Sequence, residues 1–189
     1  NDSRVPLLIW WAIENWSMSH SDMVIESFGN GAMWRNPAAR ENSLRLVRRY
    51  AAEGTPTGYA ACARMLATAS ADCRAMAHDQ LRIGLAERAV GLQSIGQGGF
   101  LTAQAADADD AKPGRRDFKS VEGELKKLIQ ELWRSEPHDA EHIEIALRGG
   151  VEDALPALKE AAFGANTAEP QRIEMIALVR ECGRGDDVP

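Results

Sequence analysis

The sequence predicts an all-helical fold, an α-solenoid in which two-helix units stack side by side. Ala, Leu, Arg and Glu are frequent, whereas the β-branched and aromatic residues typical of strands are sparse. Apolar residues return at helical spacing between glycine- and proline-rich breaks, and one type of helix opening recurs along the chain. The 189 residues, 44% of them hydrophobic, are enough for one elongated domain with a continuous core.

Two helices are predicted near the start of the chain. A capping pair, an early proline and a dense apolar stretch predict a buried helix over about residues 4–16. A short second helix begins at Ser21 and runs to Phe28. The sequence Gly29-Asn30-Gly31 is expected to end it, because these residues tolerate positive φ angles.

Three further helices are predicted before residue 90. Asn36 is the expected N-cap and Pro37 the first residue of a helix that residues 54–58 interrupt. The next two helices are expected at about residues 59–69 and 71–90, because apolar positions recur there at helical spacing.

A long connection is predicted over residues 91–119, which have no sustained apolar period. Its acidic residues Asp107, Asp109 and Asp110 are typical calcium ligands, but the rest of the EF-hand pattern is missing, which favours a solvated loop. Glycines at 96–99 follow no predicted strand, so flexibility explains them better than a phosphate-binding turn.

Helical periodicity resumes after this connection. A start signal at residues 120–124 precedes apolar residues at helical spacing. Three shorter helices are expected at about residues 139–147, 151–163 and 170–182.

An apolar residue followed by an early proline opens helices at Val5-Pro6, Leu155-Pro156 and Val188-Pro189. Proline at a helix start loses no intrahelical hydrogen bond, and the last two openings are 33 positions apart, the right size for a two-helix unit. Ankyrin and tetratricopeptide signatures, which have a similar period, are absent. The same openings also arise when common helix-start residues recur by chance in an irregular bundle.

The predicted organisation is therefore a solenoid of HEAT-like (PBS-lyase-type) helical hairpins. Repeats are expected over residues 1–90 and 120–189, with the connection at 91–119 between them and the last repeat broken off at Pro189.

Charge and cysteine content limit the possible partners. A net charge of −6 disfavours nucleic-acid binding, and no apolar run approaches the roughly 20 residues of a membrane span, so no membrane insertion is expected. The three widely separated cysteines form neither a disulfide framework nor a metal-binding pair and are expected to be core thiols. No cofactor is expected.

Three stretches, Asp2–Glu14, Arg48–Thr55 and Ala61–Ala67, resemble the helical middle region of large exported proteins of planctomycetes and their relatives. Those proteins resemble membrane-bound dehydrogenases that combine a β-propeller, HEAT-like repeats and a carboxy-terminal cytochrome c. The resemblance is best over roughly the first 90 residues. It implies that this segment is a spacer in a periplasmic or exported haem-dependent oxidoreductase. It does not extend to haem attachment, since the chain has no Cys-x-x-Cys-His run.

His138, Glu141 and His142 match H-x-x-E-H, a motif in which two histidines bind zinc beside a general base. A catalytic zinc would need a third protein ligand. The residues more simply form a polar first helical turn, where the helix dipole favours Asp139 and Glu141.

Tryptophans and arginines are the candidates for an interaction surface. Trp10 and Trp11 point about 100° apart on a helix, so both cannot occupy one narrow core stripe. A filling role between helices and an exposed docking role are both open for the tryptophans. The arginines make the helix after Pro37 basic, either as a solvated face paired with Glu41 and Glu53 or as a patch for an anionic partner. The candidates are Trp10, Trp11, Trp16, Trp34, Arg45, Arg48 and Arg49.

The expected function is a non-catalytic module that binds a protein partner or adjacent domains of the same parent chain. One alternative is an enzyme, either a metal-dependent hydrolase that uses His138, Glu141 and His142 or a nucleic-acid enzyme of the DNA-glycosylase type, for which basic charge is too low. Another is an irregular helical bundle with a regulatory or ligand-sensing role.

Overall fold

Residues 5–90, 121–164 and 167–182 are described by the computed structural model of the chain. Within them the chain is all-helical and has no β-strand, which confirms the predicted class. No described helix is long and apolar enough to cross a membrane. The described helices are α1 (Val5–Ser17), α2 (Ser21–Phe28), α3 (Gly31–Arg35), α4 (Pro37–Glu53), α5 (Pro56–Thr68), α6 (Arg74–Val90), α7 (Gly123–Ser135), α8 (Ala140–Arg148), α9 (Leu155–Phe163) and α10 (Glu169–Cys182), and short 3-10 turns at Ala71–Cys73 and Glu152–Ala154 precede α6 and α9.

Several sequence predictions fall outside these ranges. They are the long connection at 91–119, including the acidic residues and glycines within it, and the broken repeat at Pro189.

Capping side chains set the start of several helices. Asn36 accepts hydrogen bonds from two backbone N–H groups in the first turn of α4, and Pro37 is its first residue, as the sequence predicts. Gly54, with φ of 71°, ends the same helix in the left-handed region that favours glycine.

Two helix starts differ from the sequence prediction. The second helix ends at Phe28, as predicted, but Asn30 then caps an additional helix, α3, that was not predicted. The fifth helix begins at Pro56 rather than near Tyr59, because the Thr55 hydroxyl accepts a hydrogen bond from the backbone of its first turn. In both places a capping side chain outweighs the breaking tendency of neighbouring glycines.

The helices pack in two rows. The first row contains α1, α4, α6, α8 and α10, each in contact with the next. The second row contains α2, α5 and α7 in the same order, and α9 contacts both α8 and α10. Pairs such as α1 with α2, α4 with α5 and α7 with α8 connect the two rows.

The closest approach within the first row is between α4 and α6. A Cβ atom placed on Gly84 would lie 2.5 Å from the carbonyl oxygen of Arg48 and 2.8 Å from the Cβ of Ala51. Such separations are shorter than real Cβ contacts, so only glycine lets these two helix backbones lie this close.

One hydrophobic core extends along both rows. It includes Val24 near one end of the described chain and Val179 near the other, with Leu85 and Leu125 on either side of residues 91–120. Contacts of α5 with α7 and of α6 with α8 join the two sides. The described parts of the predicted blocks 1–90 and 120–189 therefore share a core.

Two buried arginines also connect neighbouring helices across this junction. Arg88 on α6, which is 9% exposed, donates hydrogen bonds to the Tyr59 hydroxyl and to the backbone carbonyl of Arg148. Arg148 on α8 makes a two-point ion pair with Glu181 on α10, at 3.0 and 2.9 Å, and a further pair with Glu144 at 2.9 Å. Each cation is therefore satisfied by groups from adjoining helices.

Candidate interaction surface

The helix α1 is apolar around most of its circumference. Its inner side carries the buried Ser17, whose carbonyl accepts a hydrogen bond from the Tyr50 hydroxyl at 3.1 Å. A helix that is apolar on all sides is usually covered on all sides, but the outer side of α1 is exposed. We call its large exposed residues the α1 apolar face: Leu7 (45% exposed), Leu8 (56%), Ile9 (47%), Trp11 (56%) and Trp16 (51%).

The tryptophans of α1 divide between its two sides. Trp10 is partly buried against the core, with the guanidinium carbon of Arg45 5.6 Å from the centre of its ring. Trp11 and Trp16 point outward, and Trp16 stacks on His20 with the ring centres 5.3 Å apart. The prediction that Trp10 and Trp11 occupy different sides of the helix is confirmed.

Trp34 is not on an accessible surface, contrary to its place among the predicted surface candidates. It is fully buried, and its indole N–H donates to the Thr68 hydroxyl at 3.2 Å. The reason is the unpredicted helix α3, which turns Trp34 toward the core.

Three arginines of α4, Arg45, Arg48 and Arg49, are each engaged by a carboxylate. Arg45 pairs with Glu41 at 3.1 Å and Arg49 pairs with Glu53, the two partners that the sequence predicts. Arg48 pairs with Glu87 on α6, whose hydrogen bond raises the pKa of the Arg48 guanidinium. These contacts favour the solvated, internally paired face over a patch for anions.

The three residues of the H-x-x-E-H motif do not lie on one helix. His138 is exposed in the turn before α8, because Asp139 forms the N-cap and accepts a hydrogen bond from the His142 N–H at 2.9 Å. The two histidines therefore lack the helical placement that the zinc motif requires. Among the described residues, no group of three or more His, Cys, Asp or Glu side chains is placed to hold a metal ion.

His142 instead contacts a histidine that lies outside this motif. The rings of His142 and His78 on α6 pack edge to face with centres 6.2 Å apart. Burial, followed by the charges of His142 and Arg74, lowers the pKa of His78. Only the packing of α6 on α8 brings the pair together, so no sequence spacing could reveal it.

A groove of about 550 Å³ between α6, α8 and α10 is lined by six acidic side chains, two arginines and four apolar residues. Arg82 spans part of it, pairing with Asp79 at 2.7 Å and with Glu144 at 3.3 Å. Burial and the nearby Asp79 carboxylate raise the pKa of Glu141. The carboxylates that line the groove are Asp79, Asp139, Glu141, Glu144, Glu174 and Glu181.

A second groove, of about 490 Å³ and mainly apolar, lies between α5 and α7. Ala60, Ala63 and Ala67 recur on one side of α5 and form its floor with Leu128 of α7. No sequence pattern indicates this groove, because alanines at helical spacing also occur on ordinary packed helices.

Comparison with protein-family models, with curated proteins and with solved structures gave no match to this chain. Function is therefore inferred from the geometry of these surfaces and from the sequence resemblance.

Proposed function

We propose that the chain is a non-catalytic, HEAT-like repeat module that uses the α1 apolar face to bind a protein partner or an adjacent domain of its parent. The observation that carries the proposal is the outer side of α1, where Leu8 and Trp11 are each 56% exposed on a helix with few polar residues. The largest apolar patch on a monomeric protein is often functional, and aromatic residues are common anchors at interaction sites.

The packing of the helices supports the repeat assignment. Apart from the short α3, the helices from α1 to α8 alternate between two rows, and each row is built from contacts between helices of adjacent repeats. The first-row helices α1, α4 and α6 begin at Val5, Pro37 and Arg74, spacings that suit two-helix units. Among the described helices α1 lies at one end of the first row, so its outer side is available for a further contact.

The larger context that we propose is a spacer in an exported, haem-dependent oxidoreductase. Its support is the sequence resemblance over roughly the first 90 residues. Under this proposal the chain positions neighbouring domains, and redox chemistry belongs to other parts of the parent.

A photo-crosslinking amino acid at position 11 tests the docking role. In cells that express the chain, irradiation should join Trp11→benzoylphenylalanine to a defined polypeptide or to another part of the parent. The same probe in place of the exposed Glu152 serves as the control for random encounters. Absence of any specific adduct from position 11 would contradict the proposal.

The enzyme alternative has a separate test. Elemental analysis of natively purified chain should find no stoichiometric zinc or iron. If metal is found, the His138→Ala/His142→Ala variant decides whether these residues hold it. A stoichiometric metal that disappears in the variant would make the chain a metalloenzyme candidate.

A ligand-sensing role is a second candidate, favoured by the apolar groove between α5 and α7. The probe is anilinonaphthalene sulfonate. If the chain senses a ligand, the dye binds in this groove and its fluorescence should fall in the Ala63→Arg variant. If α1 is the docking surface, the dye binds there and its fluorescence should fall in the Trp11→Glu variant.

A further inference from the structure

A further cavity, of about 420 Å³, lies between α5, α6 and α7 and combines apolar with polar side chains. Leucines from all three helices line it, among them Leu66, Leu81 and Leu128. Its volume is within the range of small-molecule sites, which are mainly apolar and contain a few polar groups that fix the orientation of a ligand. We call this cavity the Arg74 pocket, after the arginine that lines it on α6.

Two nitrogen donors of α6 line the Arg74 pocket from successive turns. Arg74 and His78 are four residues apart, so their side chains lie on the same side of the helix, and Leu81 continues that side. Arg74 is exposed, and among the described residues it forms no ion pair, whereas Arg82 on the same helix is paired with two carboxylates. The Arg74 guanidinium is therefore free to pair with an anion from solution.

His78 adds a donor without adding charge. Burial, followed by the charges of His142 and Arg74, lowers the pKa of His78, so its ring is neutral at pH 7 and carries one N–H group. A carboxylate has two acceptor oxygens and can accept hydrogen bonds from a guanidinium and from a neutral imidazole together. The α6 side of the pocket therefore has the donors that one carboxylate requires.

The α7 side of the Arg74 pocket limits the charge of a ligand. Glu131 and Ser135 line this side, and the Ser135 hydroxyl donates within its own helix to the Leu132 carbonyl at 2.6 Å. A second negative charge on the ligand would meet the Glu131 carboxylate. The pocket therefore favours a monoanion over dicarboxylates and phosphates.

We propose that the Arg74 pocket binds a small monocarboxylate with an apolar chain. The carboxylate accepts hydrogen bonds from Arg74 and His78, and the apolar chain lies against the leucines that α5, α6 and α7 contribute. The charge and the donors on one side of the pocket and the apolar residues beside them match the two parts of such a molecule.

The Arg74 pocket is distinct from the surfaces described above. It shares no residue with the α1 apolar face, so its occupancy neither requires nor excludes the docking role. It adjoins the groove between α5 and α7, with which it shares Ala67 and Leu128. In that groove Arg64 is already paired with Asp22 at 2.6 Å, and two glutamates also line it. A carboxylate is therefore favoured in the Arg74 pocket over the neighbouring groove.

Isothermal titration calorimetry of the chain with octanoate is the first measurement. We expect saturable binding at one site. Octanol has the same apolar chain without the charge and should bind about tenfold more weakly, whereas octylamine has the opposite charge and should not compete with octanoate. Octanol that binds as tightly as octanoate would overturn recognition of the carboxylate. No saturable binding of octanoate up to about 10 mM would overturn the site itself.

Two substitutions at exposed residues should change the affinity in opposite directions without disturbing the core. Arg74→Gln should weaken octanoate binding by about tenfold, because a hydrogen bond to a charged group is lost. Glu131→Gln should strengthen it by about threefold, because a nearby negative charge is removed. Arg134→Gln is the matched control, since Arg134 is exposed on α7 and does not line the pocket. An Arg74→Gln variant that binds octanoate as tightly as the unmodified chain would overturn the proposal.

Further measurements locate the ligand. Ala60→Gln alters the groove between α5 and α7, and Trp11→Glu alters the α1 apolar face; both variants should bind octanoate with unchanged affinity. In nuclear magnetic resonance spectra, octanoate should shift the ring signals of His78 but not those of His20, which stacks on Trp16. Loss of binding in Ala60→Gln or in Trp11→Glu would place the ligand on one of those surfaces and overturn the assignment to the Arg74 pocket.

Discussion

Substitution of Gly84 by alanine tests the close contact of α4 with α6 that fixes the first row. The added methyl group would meet a backbone oxygen at 2.5 Å and the Cβ atom of Ala51 at 2.8 Å. Neither atom is at the end of a flexible side chain, so the two helices must move apart.

The expected cost follows from two opposing effects. Alanine is favoured over glycine within a helix by about 1 kcal/mol, whereas overpacking of a well-packed site costs about 1–3 kcal/mol. Because both contacts are with rigid groups, we take the upper part of that range and expect a net loss of about 2 kcal/mol. For a chain of this size, that loss lowers the melting temperature by about 4–8 °C.

Thermal unfolding followed by circular dichroism measures the effect. Gly31→Ala is the matched control, since its nearest contact is the flexible Arg35 guanidinium at 3.3 Å, and its melting temperature should stay unchanged or rise slightly. Adding Ala51→Gly to Gly84→Ala should make the double variant more stable than the sum of the single effects predicts. An unchanged or raised melting temperature for Gly84→Ala would refute the close packing of α4 on α6.

Three further predictions concern buried ionisable groups. Arg148→Met should lower the free energy of unfolding by about 3 kcal/mol, since it removes the ion pairs that buried Arg148 makes with Glu144 and Glu181, whereas Arg45→Met should change it by less than about 0.5 kcal/mol; equal urea midpoints would contradict this. Burial lowers the pKa of His78 in the folded chain. As the pH falls below about 6.5, the unfolded chain therefore binds a proton at His78 before the folded chain does, and the free energy of unfolding decreases. His78→Gln should flatten that slope and His138→Gln should not; a slope unaffected by the first variant would exclude His78 as its source. Burial raises the pKa of the Cys62 thiol, so the folded chain should protect Cys62 from Ellman's reagent until denaturant is added, and rapid native labelling would contradict its burial.

Local sequence signals predicted much of the helical structure. Asn36 and Pro37 fixed the start of α4 because cap and proline act within one turn, and the apolar spacing around Leu125 predicted α7. The end of α2 at Phe28 was predicted correctly, but α3 was missed because the glycines suggested a loop where Asn30 caps a helix. Glycine favours a loop and an asparagine cap favours a helix, and the hydrogen bonds that form in the fold decide between the two.

The candidate surfaces were less predictable. The tryptophans indicated an aromatic surface on α1, but exposure of Leu7, Leu8 and Ile9 depends on which neighbours cover the helix. The meeting of His78 with His142 depends on the packing of helices that are distant in sequence. One sequence carries no direct record of such long-range contacts.

The bridge from Arg88 to the carbonyl of Arg148 has a consequence for chain connectivity. Contacts between the described helices hold α6 against α8 and α5 against α7, and these contacts involve no residue between 91 and 120. A polypeptide of residues 1–90 and a separate one of residues 121–189 should therefore reassemble by fragment complementation. A reporter or an unrelated domain can then be inserted between residues 90 and 121 without altering the packing of the two rows of helices.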